Sequence, residues 1–336
     1  MRFTVTGSPA LEDTIRDQLA AISEDVHRAV APDAVDCLVL GGGYGRGEGG
    51  AFVRDGREHP YNDYDLVLVH HARGRGALAG LAELEKRHSL RTGVHVDILP
   101  LHRRALFALP RALTWYELGR GHRVLGGDES VLRPLTARRL DQVHHTEWGR
   151  LLMNRGAGLV FARWVLTGQP CSVAGDEEPN AFVTRQLQKA WLAFGDVWLA
   201  KRGAYHHLVR QRRKRFRERV GERPLWADAY EQAIAFKLSP TAPWPRAVQQ
   251  AQLAELSRLY APELERRAAS PFRPTVGLWA TARHVAPRQW LTLPPWAYPR
   301  ERIRLALAAE LRGEHLVFEK LIGSPDRLVR LWSRYG

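Results

Sequence analysis

Ten consecutive positions, Gly41-Gly42-Gly43-Tyr44-Gly45-Arg46-Gly47-Glu48-Gly49-Gly50, hold seven glycines. Glycine loses more backbone freedom on ordering than any other residue and brings no side chain to pack, so this run is expected in neither the interior of a regular helix nor that of a strand. What it permits is the close approach of another group to bare backbone. The apolar segment Val35 to Leu40 directly before it reads as a strand, which makes the glycines a turn leaving a strand end. Upstream, Leu11, Ile15, Leu19, Ile22 and Val26 recur every three or four positions and predict a helix from about Ala10 to Val30.

Beyond the glycines a polar stretch, Arg54 to Asn62, leads into a second strand, Asp63 to His70. A helix is expected from Ala77 to His88 and a third strand from Val94 to Leu99. The order helix, strand, glycine turn, strand, helix, strand predicts an α/β domain on a small mixed sheet. From about Leu140 the pattern changes to long helices. Leu187, Trp191, Phe194 and Trp198 share one helical face and read as a core stripe. Proline-rich segments at Ser239 to Pro245, Ser270 to Pro274 and Pro287 to Pro299 interrupt this half, and a last amphipathic helix is expected over Arg300 to Leu321. The division expected is an α/β domain over 1–130 and an all-α domain over 131–336, subdivided near 222–246.

Side chains alternate along a strand, so in Asp63-Tyr64-Asp65-Leu66-Val67-Leu68 the two aspartates point one way and Tyr64, Leu66 and Leu68 the other. Two neighbouring carboxylates repel each other, and a divalent ion with oxygen ligands is the usual remedy. Asp97, an acid between Val96 and Ile98 in an apolar strand, invites the same explanation. If the two strands are neighbours, three carboxylates converge on one patch, enough for one or two magnesium ions and an in-line displacement at phosphorus. The glycine turn supplies the complementary half: bare backbone that can approach a triphosphate and offer N–H groups, and Arg46 as a charge-assisted fork for phosphate oxygens.

The chain has 336 residues and a formal charge of +14, which points to an anionic partner. Arginine far outnumbers lysine, a skew that leaves the charge itself unexplained, since exchanging the two changes nothing in sign. The run Arg210-Gln211-Arg212-Arg213-Lys214-Arg215-Phe216-Arg217-Glu218-Arg219 reads either as a solvated helix face or as a surface that tracks phosphates. Cys37 and Cys171 lie far apart, and neither a disulfide framework nor a cysteine zinc site is expected. The pairs His70-His71, His144-His145 and His206-His207 are adjacent, and adjacent residues diverge on strands and helices, so surface histidines are expected rather than a shared metal. No apolar run is long enough to cross a bilayer, and Met1-Arg2-Phe3-Thr4-Val5-Thr6 lacks the layout of a signal peptide, so no membrane partner and a cytoplasmic location are expected. Neither a Gly-x-Ser-x-Gly elbow nor a P-loop lysine motif is present.

Taken together, Gly42-Gly43-Tyr44-Gly45-Arg46-Gly47-Glu48, Asn62-Asp63-Tyr64-Asp65-Leu66 and Val96-Asp97-Ile98 resemble the DNA polymerase beta-type nucleotidyltransferase superfamily, and are most similar to its minimal and antibiotic-modifying members. The segment Glu117 to Asp128 also looks like the end of that small domain, and the resemblance spans roughly Val35 to Asp128. Three positions depart from the pattern. Gly43 stands where many members have serine, Asn62 where serine often precedes the first aspartate, and Phe52 to Tyr61 lengthens the path to Asp63 as an extra hairpin or flap.

The resemblance implies Asp63, Asp65 and Asp97 as metal ligands and catalytic carboxylates, with Asp97 next to the nucleophile, and Gly42 and Gly43 as the pair that holds the triphosphate. It implies magnesium or manganese as cofactor and ATP or another nucleoside triphosphate as donor. The acceptor, a small-molecule hydroxyl or RNA, would be selected by the helical domain, whose helices with Arg185, Lys189 and Asp196 resemble partner domains of the superfamily. In antibiotic-modifying members a glutamate of that domain can act as general base. The alternative is a catalytically silent nucleotide- or RNA-binding module of the same fold.

Overall fold

Helix α1 (Pro9–Ala29) starts where the Ser8 hydroxyl accepts from the Leu11 N–H and Pro9 takes the first helical position. Its apolar stripe is buried in full: Leu11, Ile15, Leu19, Ile22 and Val26. The computed structural model describes residues 2–30, 34–72, 78–221, 223–268 and 299–335. Of the expected features, Ala77, the segment Ser270 to Pro274 and the segment Pro287 to Pro299, except for the backbone of Pro299, lie outside the described residues.

Strand β1 (Val35–Leu40) is followed by α2 (Gly42–Gly45), then β2 (Ala51–Arg54), β3 (Arg57–Pro60), β4 (Tyr64–His70), α3 (Leu81–Thr92), β5 (Val96–His102), α4 (Leu113–Arg120), β6 (Arg123–Gly127) and the single turn α5 (Arg133–Thr136). Among the described residues four strands form one mixed sheet in the order β5-β4-β1-β6, and β2 pairs with β3 in a separate two-stranded sheet. β4 and β5 run parallel, while β1 is antiparallel to both β4 and β6.

Alternation divides the sheet between two cores. Leu38, Leu40, Tyr64, Leu66, Leu68, Val96 and Ile98 face α1 and α3 and pack with Leu11, Ile15, Leu81 and Leu84. Cys37, Val39, Val67 and Val69 pack on the other side with Leu106, Leu118, Leu132 and Leu135. Asp65 belongs to this second face by alternation, at the end where the apolar cover stops, and it is exposed.

Several expectations are corrected. The glycine run is not irregular throughout, because Gly42–Gly45 closes a single helical turn through a hydrogen bond from Gly45 N–H to the Gly41 carbonyl. One turn needs only that one bond, so the entropy argument against a long glycine helix does not forbid it. Helix α3 lies a turn later than expected, beginning after Gly80 and stopping at Gly93. β5 runs on to His102 through Pro100, which an edge strand tolerates because one side of its backbone has no ladder partner. β6 is a further strand, unassigned from the sequence because Arg123-Val124-Leu125-Gly126-Gly127 is short and only partly buried. The last amphipathic segment is two helices, Pro299–Arg312 and His315–Leu321, and a third, Pro325–Tyr335, follows.

The expected hairpin or flap over Phe52 to Tyr61 is a hairpin, with Ala51, Phe52, Val53 and Arg54 opposite Pro60, His59, Glu58 and Arg57. Its turn, Asp55-Gly56, has positive φ at both residues, 53° and 71°. An Asp-Gly pair adopts that conformation with little cost, and its twist suits a two-residue hairpin.

The chain divides into two compact units that differ from a split at 130/131. The first comprises Met1–Glu147 with Arg202–Thr241, the second Trp148–Lys201 with Ala242–Gly336. The first unit thus recruits α8 (Val209–Arg219) and α9 (Pro224–Leu238) from far along the sequence. The second contains α6 (Thr146–Leu166, from Trp148 onward), α7 (Pro179–Ala200) and α10 (Arg246–Ala268) and is helical among the described residues. In α7, Leu187 and Trp191 are buried and Phe194 and Trp198 half-buried, so the aromatic stripe faces the core only in part. No helix among the described residues is long and apolar enough to cross a membrane.

Candidate active site

Asp65 and Asp97 are direct register partners on the parallel strands β4 and β5. Adjacent strands lie about 4.8 Å apart, so the two carboxylates start from neighbouring backbone positions. Asp63 precedes β4 by one residue. Tyr64, on the opposite face, is fully buried and donates from its hydroxyl to Gln18 at 2.6 Å, which anchors the strand against α1. All three aspartates are exposed.

The Asp65 carboxyl is pushed above the ordinary aspartate range. The surrounding protein thins its hydration although it stays open to solvent, and the charges of Asp63 and Asp97 add repulsion; Arg46 and Lys237 work in the opposite direction. Oxygen-only donors of this kind suit a hard divalent cation. Among the described residues, however, no three His, Cys, Asp or Glu side chains are gathered closely enough to hold a metal ion. The backbone brings the acids into register, and their side chains do not form a finished coordination shell.

The glycine turn lies directly under this acid. Gly41 N–H donates to the Asp65 carbonyl at 2.7 Å. Gly42 has a φ of 58°, and a Cβ there would overlap Asp65 Oδ2, so only glycine leaves the carboxylate where it is. A Cβ at Gly43 would meet the Glu48 carbonyl oxygen at 3.1 Å, which makes this a tightly closed loop. Two residues that sequence reasoning did not assign lock the loop to the acid strand. The buried Tyr44 hydroxyl donates to the Gly50 carbonyl at 2.7 Å and accepts from Tyr61 N–H at 2.9 Å. Asn62 accepts from Gly50 N–H at 2.5 Å through Oδ1, which ties the end of the glycine run to the residue before Asp63.

A cluster of cations stands on the other side. The Arg46 side chain is 8% exposed and its Nη1 lies 3.6 Å from Glu117 Oε2. Its stem fills the space that a side chain at Gly121 would occupy. Tyr205 donates to Glu117, and Arg212 in turn donates to the Tyr205 hydroxyl at 3.0 Å. Burial drives the Glu117 carboxyl upward, but Arg46, Arg212, the Tyr205 hydrogen bond and Lys237 outweigh it and leave it below the ordinary range. Glu117, Tyr205, Arg212 and Lys237 went unassigned because they lie on separate elements that only tertiary folding unites.

The basic run Arg210 to Arg219 forms most of α8, and Arg210, Arg213, Lys214, Arg217 and Arg219 are exposed along it. Phe216 and Arg212 are buried. Arg213 and Arg217 both pair with Glu231 of α9. The N-terminus of α8 is held by Glu48, only 1% exposed, which accepts from Val209 N–H at 2.8 Å, Arg210 N–H at 3.2 Å and Arg210 Nε at 3.2 Å. The last acid of the glycine run is thus the cap of the basic helix.

Of the three histidine pairs, His70 and His71 diverge, and the other two do not. His206 and His207 stack with ring centroids 4.3 Å apart, and His144 and His145 lie 4.4 Å apart, because neither pair sits inside a regular strand or helix. His70 is buried rather than exposed. Burial, then His206 and Arg46, push His207 down to about 4, which keeps it neutral at neutral pH. Both cysteines are free thiols, and burial pushes the Cys37 thiol up to about 11. No protein-family model matches the chain, and no curated protein matches it in sequence.

Proposed function

We propose that the chain is a divalent-metal-dependent nucleotidyltransferase that moves a nucleoside monophosphate from a nucleoside triphosphate, ATP first among them, to a hydroxyl acceptor with release of pyrophosphate. The observation that carries this reading is the register of Asp65 against Asp97, with Asp63 one residue before β4, beside a glycine turn and a cation cluster. Asp63, Asp65 and Asp97, drawn closer together than they stand here, would hold magnesium or manganese, which would polarise the phosphate oxygens and lower the proton affinity of the attacking hydroxyl.

The protein groups divide the remaining work. Gly42 and Gly43 let a phosphate chain approach bare backbone. Arg46 and Lys237, whose charges already act on Asp65, offset the negative charge that grows on the leaving pyrophosphate. The acceptor oxygen bonds to the α-phosphorus as the bond to the bridging pyrophosphate oxygen breaks, and Asp97 takes the acceptor's proton. A cytoplasmic location and a small-molecule or RNA acceptor belong to the same proposal.

The test is incubation of the purified protein with each labelled triphosphate, magnesium, and RNA or metabolite extract. Labelled product is expected with wild type and lost in Asp63→Asn and Asp65→Asn. Unchanged product in both variants would overturn the reading, and triphosphate binding without any transfer would reduce the protein to a nucleotide-binding module.

A further inference from the structure

The hairpin β2–β3 has two unlike faces. On one, Glu58 accepts from the Ser8 N–H at 2.7 Å and so ties the hairpin to the start of α1. On the other, cross-strand pairing sets Phe52 beside His59 and Arg54 beside Arg57. The Phe52 and His59 rings lie 5.6 Å apart, the Arg54 guanidinium lies 5.8 Å from the Phe52 ring, and both arginines are exposed. The aromatic row continues at the base of the hairpin, Phe52 to Tyr61 at 6.0 Å and Tyr61 to Phe236 at 6.2 Å. Tyr61 is two residues from Asp63. A row of rings therefore leads from the acid strand to a pair of guanidinium groups at the hairpin tip.

From this arrangement we infer that the open hairpin face is the binding platform for single-stranded RNA, whose end it would deliver to Asp63 and Asp65. A row of rings that ends in a pair of cations suits a polymer whose bases stack while its phosphates are neutralised. Length argues against the nucleoside of a single triphosphate as the occupant. The tip arginines lie two residues beyond Phe52 and His59, roughly 7 Å further out at strand rise. A nucleotide whose phosphates rest on the glycine turn has no phosphate left for them, whereas a strand has one every step. The charge of +14 favours a polyanion over a neutral metabolite. The platform as a binding surface stands without the transferase reading; the identification of its occupant as the acceptor rests on that reading.

Full-length protein would be titrated against a fluorescently labelled single-stranded RNA oligonucleotide by anisotropy at two salt concentrations, without magnesium or triphosphate. Wild type is expected to bind with strongly salt-dependent affinity. Phe52→Ala should weaken binding about tenfold, the loss of one stacked base, and Phe52→Trp should restore it. Arg54→Ser with Arg57→Ser, on exposed positions that leave the fold intact, should flatten the log–log salt slope by about 1.4, the value for two phosphates of a single strand. Absence of RNA binding by wild type at micromolar concentration, or wild-type affinity in both the Phe52→Ala and the double arginine variant, would overturn the platform. Adding magnesium and labelled triphosphate separates the two proposals: label reaching a small molecule without RNA binding sinks the platform alone, and hairpin-dependent RNA binding without label transfer supports the platform while it sinks the transferase.

Discussion

Asp65 and Glu117 are carboxylates whose surroundings shift them in opposite directions, and the sign of each shift fixes what pH should do. Asp65 is held above the ordinary aspartate range, so the folded protein binds its proton more tightly than the unfolded chain. Its contribution is fully present below the unfolded value and is lost as pH rises through the folded one. Asp65→Asn should therefore melt higher than wild type in chelator-treated samples, by a margin that grows as pH rises from the ordinary aspartate range, and should lose transfer. A margin independent of pH in parallel thermal melts would contradict the thinned hydration of the Asp65 carboxyl and its repulsion by Asp63 and Asp97. Glu117 is held low, and its stability is present above the unfolded value and lost as pH falls through the folded one. Removing it by Glu117→Ala leaves Arg46 and the Tyr205 hydroxyl without their acceptor and should cost about 3 kcal/mol in denaturant unfolding at neutral pH. Glu117→Gln, which still accepts from Tyr205, should cost clearly less, and equal losses would mean that packing rather than charge holds this cluster. The two residues also differ in how they were legible. Alternation of Asp63, Tyr64 and Asp65 is a local property, so their shared face could be read from the sequence. Glu117 meets Tyr205 across 88 residues, and no periodicity encodes that distance.

At the level of elements, the first unit is stitched together by caps and short loops rather than by strand pairing alone. Glu48, inside the glycine run, caps α8 across 161 residues, with its carboxylate buried against the Val209 N–H. Two backbone N–H groups and one guanidinium lose their acceptor in Glu48→Ala, and a lost helix cap typically costs 0.5–2 kcal/mol, so about 2 kcal/mol is expected with a charged cap. Hydrogen exchange should accelerate first at Val209 and Arg210; unchanged exchange there would show that α8 is held by Phe216 and Arg212 instead. Strands β1 and β4 were legible because continuous apolar runs bounded by glycine and polar residues mark buried strands. The hairpin was foreseen from the length of the segment between Arg46 and Asp63, and its Asp-Gly turn is a local signal. β6 escaped because Arg123 and the two glycines Gly126 and Gly127 leave it neither alternating nor apolar, so pairing with β1 alone makes it a strand. The partners of the basic run were illegible for a related reason: charge density along the sequence does not reveal that Glu231 and Glu48 stand opposite it.

For the whole molecule the decisive feature is that the chain leaves the first unit after Glu147, returns at Arg202 and leaves again after Thr241. The residues grouped around Asp65 therefore come from two stretches of sequence, the sheet with its glycine turn and the pair α8–α9, while 148–201 forms part of a separate core. A ligand that binds only the folded first unit stabilises it by RT ln(1 + [L]/Kd), about 2.7 kcal/mol at a hundredfold excess over Kd, which slows exchange through its global opening about a hundredfold. With magnesium and ATP, protection should rise together in 41–50, 63–68, 96–99 and 209–238, and amides in 148–201 should keep the rates they have without ligand. The same experiment on Asp65→Asn should show little protection anywhere, because the carboxylate in register with Asp97 is gone. Protection confined to 41–68, with α8 and α9 unaffected, would remove Lys237 and Arg212 from the site and leave the glycine turn as its only phosphate contact. No protection with any of the four ribonucleoside triphosphates would remove the triphosphate itself, and with it the transfer chemistry assigned to Asp63, Asp65 and Asp97.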